Sequence, residues 1–138
     1  MDRTTAPNKG VLMDVRVTQN LRLNQLVRSS DVAWKPLAEP GVVGVSVKVL
    51  RLDPTAGRAP TILLKFEPGS TYPAHNHPGG EEILVLEGDI TLGKDHLQAG
   101  DYLYTAPGNV HAVHSQGGCI VLVSVPQEVE VLRRPESV

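Results

Sequence analysis

The chain has 138 residues, 41% of them hydrophobic and 20% charged, with a formal net charge of −2. That suits one soluble domain with a buried core, and it gives nothing to draw a nucleic-acid backbone or an anionic membrane, the longest basic run being Arg133-Arg134. Met1-Asp2-Arg3 opens no apolar signal core and no apolar run approaches a membrane span, so a cytoplasmic protein with no membrane or nucleic-acid partner is expected.

In chain order the pattern is strands almost throughout. Val11, Met13, Val15 and Val17 share one face of a first alternation, and Leu21-Arg22-Leu23-Asn24 starts a second. Residues 24–34 predict an irregular or one-turn helical link, Trp34 a plug of the core or of a dimer interface, and Pro36 and Glu39-Pro40-Gly41 are breakers. Val45, Val47 and Val49 then alternate with Ser46, Lys48 and Leu50. Asp53–Gly57 is a turn, and Ile62, Leu64 and Phe66 alternate with Leu63, Lys65 and Glu67. Glu67-Pro68-Gly69 predicts a turn into a further strand.

Ile83–Leu86 is apolar on both faces, which predicts a covered central strand. Glu87-Gly88-Asp89 predicts a turn before Ile90-Thr91-Leu92, and Gly93-Lys94-Asp95 and Ala99-Gly100-Asp101 predict hairpin loops. Tyr102–Tyr104, Val110–Ser115 and Cys119–Val125 complete the strands, with Val129 and Val131 in a last one and a loose tail from Pro135. Cys119, the single cysteine, excludes an internal disulfide and any Cys-x-x-Cys motif; beside Ile120–Val123 it reads as a small buried hydrophobe. Many short strands joined by Gly/Pro turns predict an all-β sandwich or closed barrel.

Gly69–Gly88 carries the chemistry. His75 and His77 fall on the same face of a strand, with Cα atoms roughly 6.5–7 Å apart, so both imidazoles can converge on one ion. Pro78-Gly79-Gly80 turns the chain back and lets Glu81 reach the same point. Neutral imidazoles with a carboxylate suit Fe, Mn, Ni, Cu or Zn. Glu81 is either a ligand or a carboxylate that orients an imidazole N–H. Adjacent Glu82 points to the other face. In Gly100–Ser115, Pro107-Gly108 makes a tight turn ahead of His111, which shares a face with Val113 and Ser115 while His114 points away. His96 lies in a surface hairpin.

The spacing of Gly69, His75, His77, Glu81 and Gly88 resembles the first motif of the cupins, and Gly100, Pro107, Gly108 and His111 resemble the second more loosely. Ala106 stands where the family usually has proline, and Ser115 where it usually has asparagine. The resemblance covers roughly residues 31–134. It implies a double-stranded β-helix, a jelly-roll barrel, holding one divalent metal (Fe, Zn, Mn or Ni, with Fe or Zn favoured) on His75, His77, Glu81 and His111. Residues 1–30 are then an arm of the same domain, and 135–138 the tail. The wording HNHPGGEEILVLEG, with Trp34-Lys35-Pro36, Pro40-Gly41-Val42 and Ser115–Cys119, is similar to two cupin groups. One is the zinc-binding cupin domain of the anti-sigma factor ChrR. The other is a set of non-heme iron dioxygenases that cleave carbon–carbon bonds beside a carbonyl, including acetylacetone and 2,4'-dihydroxyacetophenone dioxygenases. ChrR-type activity depends on a separate helical domain with its own Cys/His zinc site, which this chain is not expected to supply.

The resemblance thus implies a dioxygenase-type enzyme acting on a small carbonyl or aromatic compound, or a non-catalytic zinc- or ligand-binding sensor. A metal-independent epimerase of the same fold is the weakest reading, since it has no use for a third imidazole. In an enzyme, Glu81 completes the metal sphere or acts as a catalytic base. Phe66, Tyr72, Tyr102 and Tyr104 are candidates for a substrate pocket, though each tyrosine is as readily explained by packing. The apolar face of the arm from Val11 to Val27 needs a partner, and a homodimer is expected to supply it.

Overall fold

The computed structural model describes residues 24–53, 58–127 and 130–131. The alternations expected over residues 11–17 and 21–24, most of the arm, the 53–57 turn and the tail lie wholly or largely outside that range. Among the described residues, a 3₁₀ turn at Ser29–Asp31 is followed by nine strands. They are β1 (Lys35–Pro36), β2 (Val43–Arg51), β3 (Thr61–Asn76), β4 (Glu81–Leu92), β5 (Asp95–Gln98), β6 (Tyr102–Thr105), β7 (Val110–Ser115), β8 (Cys119–Ser124) and β9 (Glu130–Val131). All pairings are antiparallel, so the all-β jelly-roll expectation holds.

Two long strands organise the roll. The first half of β3 pairs with β2 and β8, and its second half with β7 and β9. Likewise the first half of β4 pairs with β6 and β8, and its second half with β5 and β7. Each strand therefore passes from one face of the sandwich to the other, with β8 between them on one side and β7 on the other. Both had been expected as two strands separated by turns, at Glu67–Gly69 and at Glu87–Asp89. They are continuous because a positive φ at one glycine, 82° at Gly69 and 76° at Gly88, bends a strand without ending it. At Gly88 there is no room for more: a Cβ would lie 2.0 Å from the Gly118 carbonyl oxygen.

Period-two patterning points Val45, Phe66, Tyr72, Ile83, Val85, Ile90, Val113, Val121 and Val123 into one core. β1 is a strand where a breaker was expected. Pro36 fits there because, among the described residues, β1 is an edge that pairs with β2 alone, where a missing N–H costs no ladder bond. Lys48 is buried on the outer face of β2, its ammonium donating to the Ser29 carbonyl at 2.7 Å and lying 4.7 Å from the centre of the Trp34 ring. The outer face of β4 is less covered than its double apolar pattern implied, and Leu86 is 44% exposed. Cys119 is buried as expected, which pushes its thiol pKa up.

Candidate metal centre

His75 lies near the end of β3 and faces His111 directly across the β3–β7 ladder. A register shift between Tyr72 and His75 adjusts the strand just before this pair. His77 is the first residue past β3, and Glu81 opens β4 after the Pro78-Gly79 turn. The three imidazole centres are 4.3–5.0 Å apart, and one ring nitrogen from each comes within 4.8 Å of the others. Glu81 joins through two of them, with Oε2 3.4 Å from His77 Nε2 and Oε1 3.6 Å from His111 Nε2. The structure thus brings together all four residues expected at the centre.

Backbone carbonyls aim two of the rings. His75 Nδ1 lies 2.9 Å from the Pro73 carbonyl and His77 Nδ1 2.9 Å from that of Asn109. A carbonyl only accepts, so each Nδ1 carries the proton and each Nε2 presents a lone pair. The loops that bear the two motifs are tied together at His77, whose carbonyl accepts from Gly80 N–H at 3.1 Å and Gly108 N–H at 2.9 Å. Gly80 has φ of 84°. Ser115, fully buried, donates to the Asp89 carbonyl at 2.6 Å.

The electrostatics are those of a cation site. His77 Nε2, His111 Nε2 and Glu81 Oε1 are buried without a hydrogen-bond partner. Leaving such atoms unpaired costs about 1–3 kcal/mol each, and a divalent ion among them removes that cost. Burial holds His75 neutral, with its pKa lowered to about 4. For His77, burial is outweighed by the Glu81 carboxylate and the Asn109 carbonyl, and its pKa rises. For Glu81, burial is outweighed by the imidazoles of His111 and His77, and its pKa falls to about 2. Imidazoles and a carboxylate in this arrangement fit a borderline divalent metal.

A cavity of about 290 Å³ adjoins the centre. His75 and Glu81 form part of its wall, and most of the rest is aliphatic, including Val113, Val121 and Val123. Of the residues expected in a pocket, Phe66 and Tyr72 line it. Tyr102 and Tyr104 do not. They are 57% and 56% exposed on the outer face of β6, because Leu103 is the residue of that strand turned toward the core. Tyr102 donates instead to Glu82 at 2.7 Å, and Glu82, His96 and His114 are on the surface as expected. One lining group was not anticipated. Glu39, read only as part of a breaker, accepts the Tyr72 hydroxyl at 2.9 Å. Its partner lies 33 residues away, so no local pattern marks it.

A family model described as the ChrR cupin-like domain matches residues 23–127. This chain belongs to that cupin family. Among solved structures, it is similar to a Methylibium petroleiphilum PM1 protein proposed to be an acetylacetone dioxygenase. The TM-score is 0.76 at 21% identity, over 86% of this cupin and 88% of the other chain. It is also similar to a chain of Rhodobacter sphaeroides SigE in complex with the anti-sigma ChrR. There the TM-score is 0.58 at 32% identity, over 71% of this cupin and 50% of that chain. Among curated proteins, it is 34% identical over 76 residues to the DNA damage-repair/toleration protein DRT102 of Arabidopsis thaliana. That match takes in 51% of this cupin and 23% of the relative. The cupin spans about a quarter of the length of the curated relatives it matches, 23–28%. No helix among the described residues is long and apolar enough to cross a membrane.

Proposed function

We propose that this cupin holds one divalent metal on His75, His77, His111 and Glu81 and acts on a small carbonyl or aromatic compound as a dioxygenase-type oxidoreductase. The observation that carries the reading is the set of buried, unpartnered Nε2 and Oε1 atoms, converging beside an aliphatic cavity that His75 and Glu81 help to line. A bound ion supplies Lewis-acid activation of a carbonyl or enolate oxygen and, as iron, redox access to dioxygen. The chain supplies the rest. Pro73 and Asn109 fix the imidazoles, and the aliphatic lining keeps water from the reacting compound. Glu81, ionised down to about pH 2, is better suited to holding charge than to accepting a proton at neutral pH. Likeness to the Methylibium structure supports this reading through the fold alone.

A second reading, a non-catalytic zinc- or ligand-binding regulatory cupin, is favoured by one observation. Glu81 gives the site four protein donors, the number that closes a structural zinc site. Metal analysis of protein purified without added metal, followed by oxygen uptake with β-diketones and hydroxyaryl ketones on the Fe(II)-loaded protein, separates the two. Uptake supports the enzyme. A zinc-filled protein with no uptake across that panel supports the regulatory module. We further propose a cytoplasmic homodimer that covers the outer face of β4 and β8, where Leu84 and Leu122 are cross-strand neighbours beside exposed Leu86. A monomer by light scattering at micromolar concentration contradicts the dimer.

A further inference from the structure

Among the described residues that line the cavity, polar side chains are few: His75 and Glu81 at the metal centre, and Tyr72 and Glu39. The second pair is joined, the Tyr72 hydroxyl donating to Glu39 Oε2 at 2.9 Å. Glu39 stands exposed on the segment between β1 and β2, so solvent screens its charge. The hydrogen bond it accepts from buried Tyr72 is short-ranged and directional, and acts at contact. A carboxylate only accepts, which commits the Tyr72 proton to Glu39. A hydroxyl oxygen whose proton is committed can itself only accept, so both members of the pair offer acceptors to a molecule lying against them. Tyr72 is also close to the centre. Its ring packs edge-on against that of His75, with ring centres 4.8 Å apart, and a tyrosine hydroxyl stands one carbon–oxygen bond outside its ring. That hydroxyl therefore lies within the length of a substituted benzene of a metal-binding imidazole.

We propose that Tyr72 and Glu39 form an accepting subsite: among ligands whose one end binds the metal, they select those that carry a hydroxyl, or another O–H or N–H donor, on an apolar body. This rests on the reading of the cavity as the ligand site of the metal centre. A divalent ion keeps a net positive charge beside the single carboxylate of Glu81, so it favours an anionic chelating group at the metal-binding end. The aliphatic wall receives the body. A space of about 290 Å³ has room for about ten non-hydrogen groups of water size, at about 30 Å³ each, which is one substituted benzene. A ligand hydroxyl that reaches Tyr72 or Glu39 exchanges its bond to water for one to the protein. A methyl group in the same place covers those acceptors and returns nothing to them.

The test uses the full chain loaded with zinc, which is redox-silent, and benzohydroxamates, whose head group is an anionic chelator. Ring substituents at the 3 and 4 positions are compared in pairs of equal size: hydroxyl against methyl, and methoxy, which accepts only, against ethyl. Affinities are measured by titration calorimetry for the wild type, Tyr72→Phe, Glu39→Ala and, as a control on the outer face of β6, Tyr102→Phe. The wild type and Tyr102→Phe are expected to prefer hydroxyl to methyl by about tenfold in at least one ring position and to show no preference for methoxy over ethyl. Tyr72→Phe should narrow the hydroxyl preference to about threefold or less. Glu39→Ala frees the Tyr72 proton, so methoxy should gain about threefold over ethyl. A wild type without the hydroxyl preference, or a Tyr72→Phe protein that keeps it in full, overturns the subsite. A Glu39→Ala protein in which methoxy gains nothing overturns the part assigned to Glu39. A wild type that retains its zinc and binds none of the hydroxamates overturns the cavity as the ligand site, and the subsite with it.

Discussion

In metal-free protein, burial of His75 is expected to cost stability as pH falls through a window set by that imidazole. This imidazole is buried and neutral in the folded chain, with its pKa lowered from 6.5 to about 4. The unfolded chain therefore binds the proton first. Above about pH 6.5 neither state is protonated and nothing is lost; between about 6.5 and 4 the unfolded state gains progressively, and below about 4 the full penalty applies. At about 1.4 kcal/mol per pH unit, the penalty is about 3 kcal/mol, a large fraction of a typical domain's stability. Glu81 extends the loss, since its pKa falls from 4.5 to about 2 and its contribution is lost as pH drops across that range. His77 works the other way. Its pKa is raised, so its contribution is present at low pH and lost as pH rises through the folded value. Urea unfolding of EDTA-stripped protein from pH 7.5 to 4.5 reads the balance, with His75→Asn as the comparison. As pH falls across the window the wild type should lose stability relative to the variant, which lacks the His75 contribution. A variant with the same slope as the wild type refutes the burial of a neutral His75.

Three further outcomes follow from the geometry. Gly88→Ala should cost more than 3 kcal/mol or prevent folding, because it places a Cβ at a φ of 76° and 2.0 Å from the Gly118 carbonyl; chemical denaturation measures it, and a cost below about 1 kcal/mol contradicts the crossing of β4 and β8. Leu97→Ala, in the core but away from the cavity, should cost about 2–5 kcal/mol with metal content unchanged, checked by thermal unfolding and elemental analysis of the same sample. Tyr72→Phe should leave metal content intact, since Tyr72 touches His75 by its ring and Glu39 by its hydroxyl; loss of metal in that variant contradicts the separation of the centre from the wall.

The parts of this protein that are local in sequence were legible there. Period-two patterning marks β2, β7 and β8 because one face of each is buried, and His75, His77 and Glu81 stand within seven residues joined by a Pro-Gly turn. What depends on distant backbone was not. Pro68-Gly69 and Gly88 carry the residue types of turns, and only the neighbouring β7 and β8 make them bends within continuous strands. Tyr102 and Tyr104 fit a pocket by chemistry, and the register of β6 against β4 turns them outward. The carbonyls of Pro73 and Asn109 that aim the imidazoles belong to the main chain and leave no side-chain signature. Glu39 depends on a contact across 33 positions and looks like any residue of a loop.

The most direct measurement is X-ray absorption at the metal edge on the purified, metal-loaded chain, taken together with its stoichiometry in the wild type and in His77→Ala and His111→Ala. One ion per chain is expected, bound by three imidazole nitrogens and one carboxylate oxygen at about 2.0–2.2 Å, and substantially lost in both variants. A wild type that takes up no divalent ion, or variants that keep a full equivalent in an unchanged coordination sphere, contradicts the centre on which the functional reading rests.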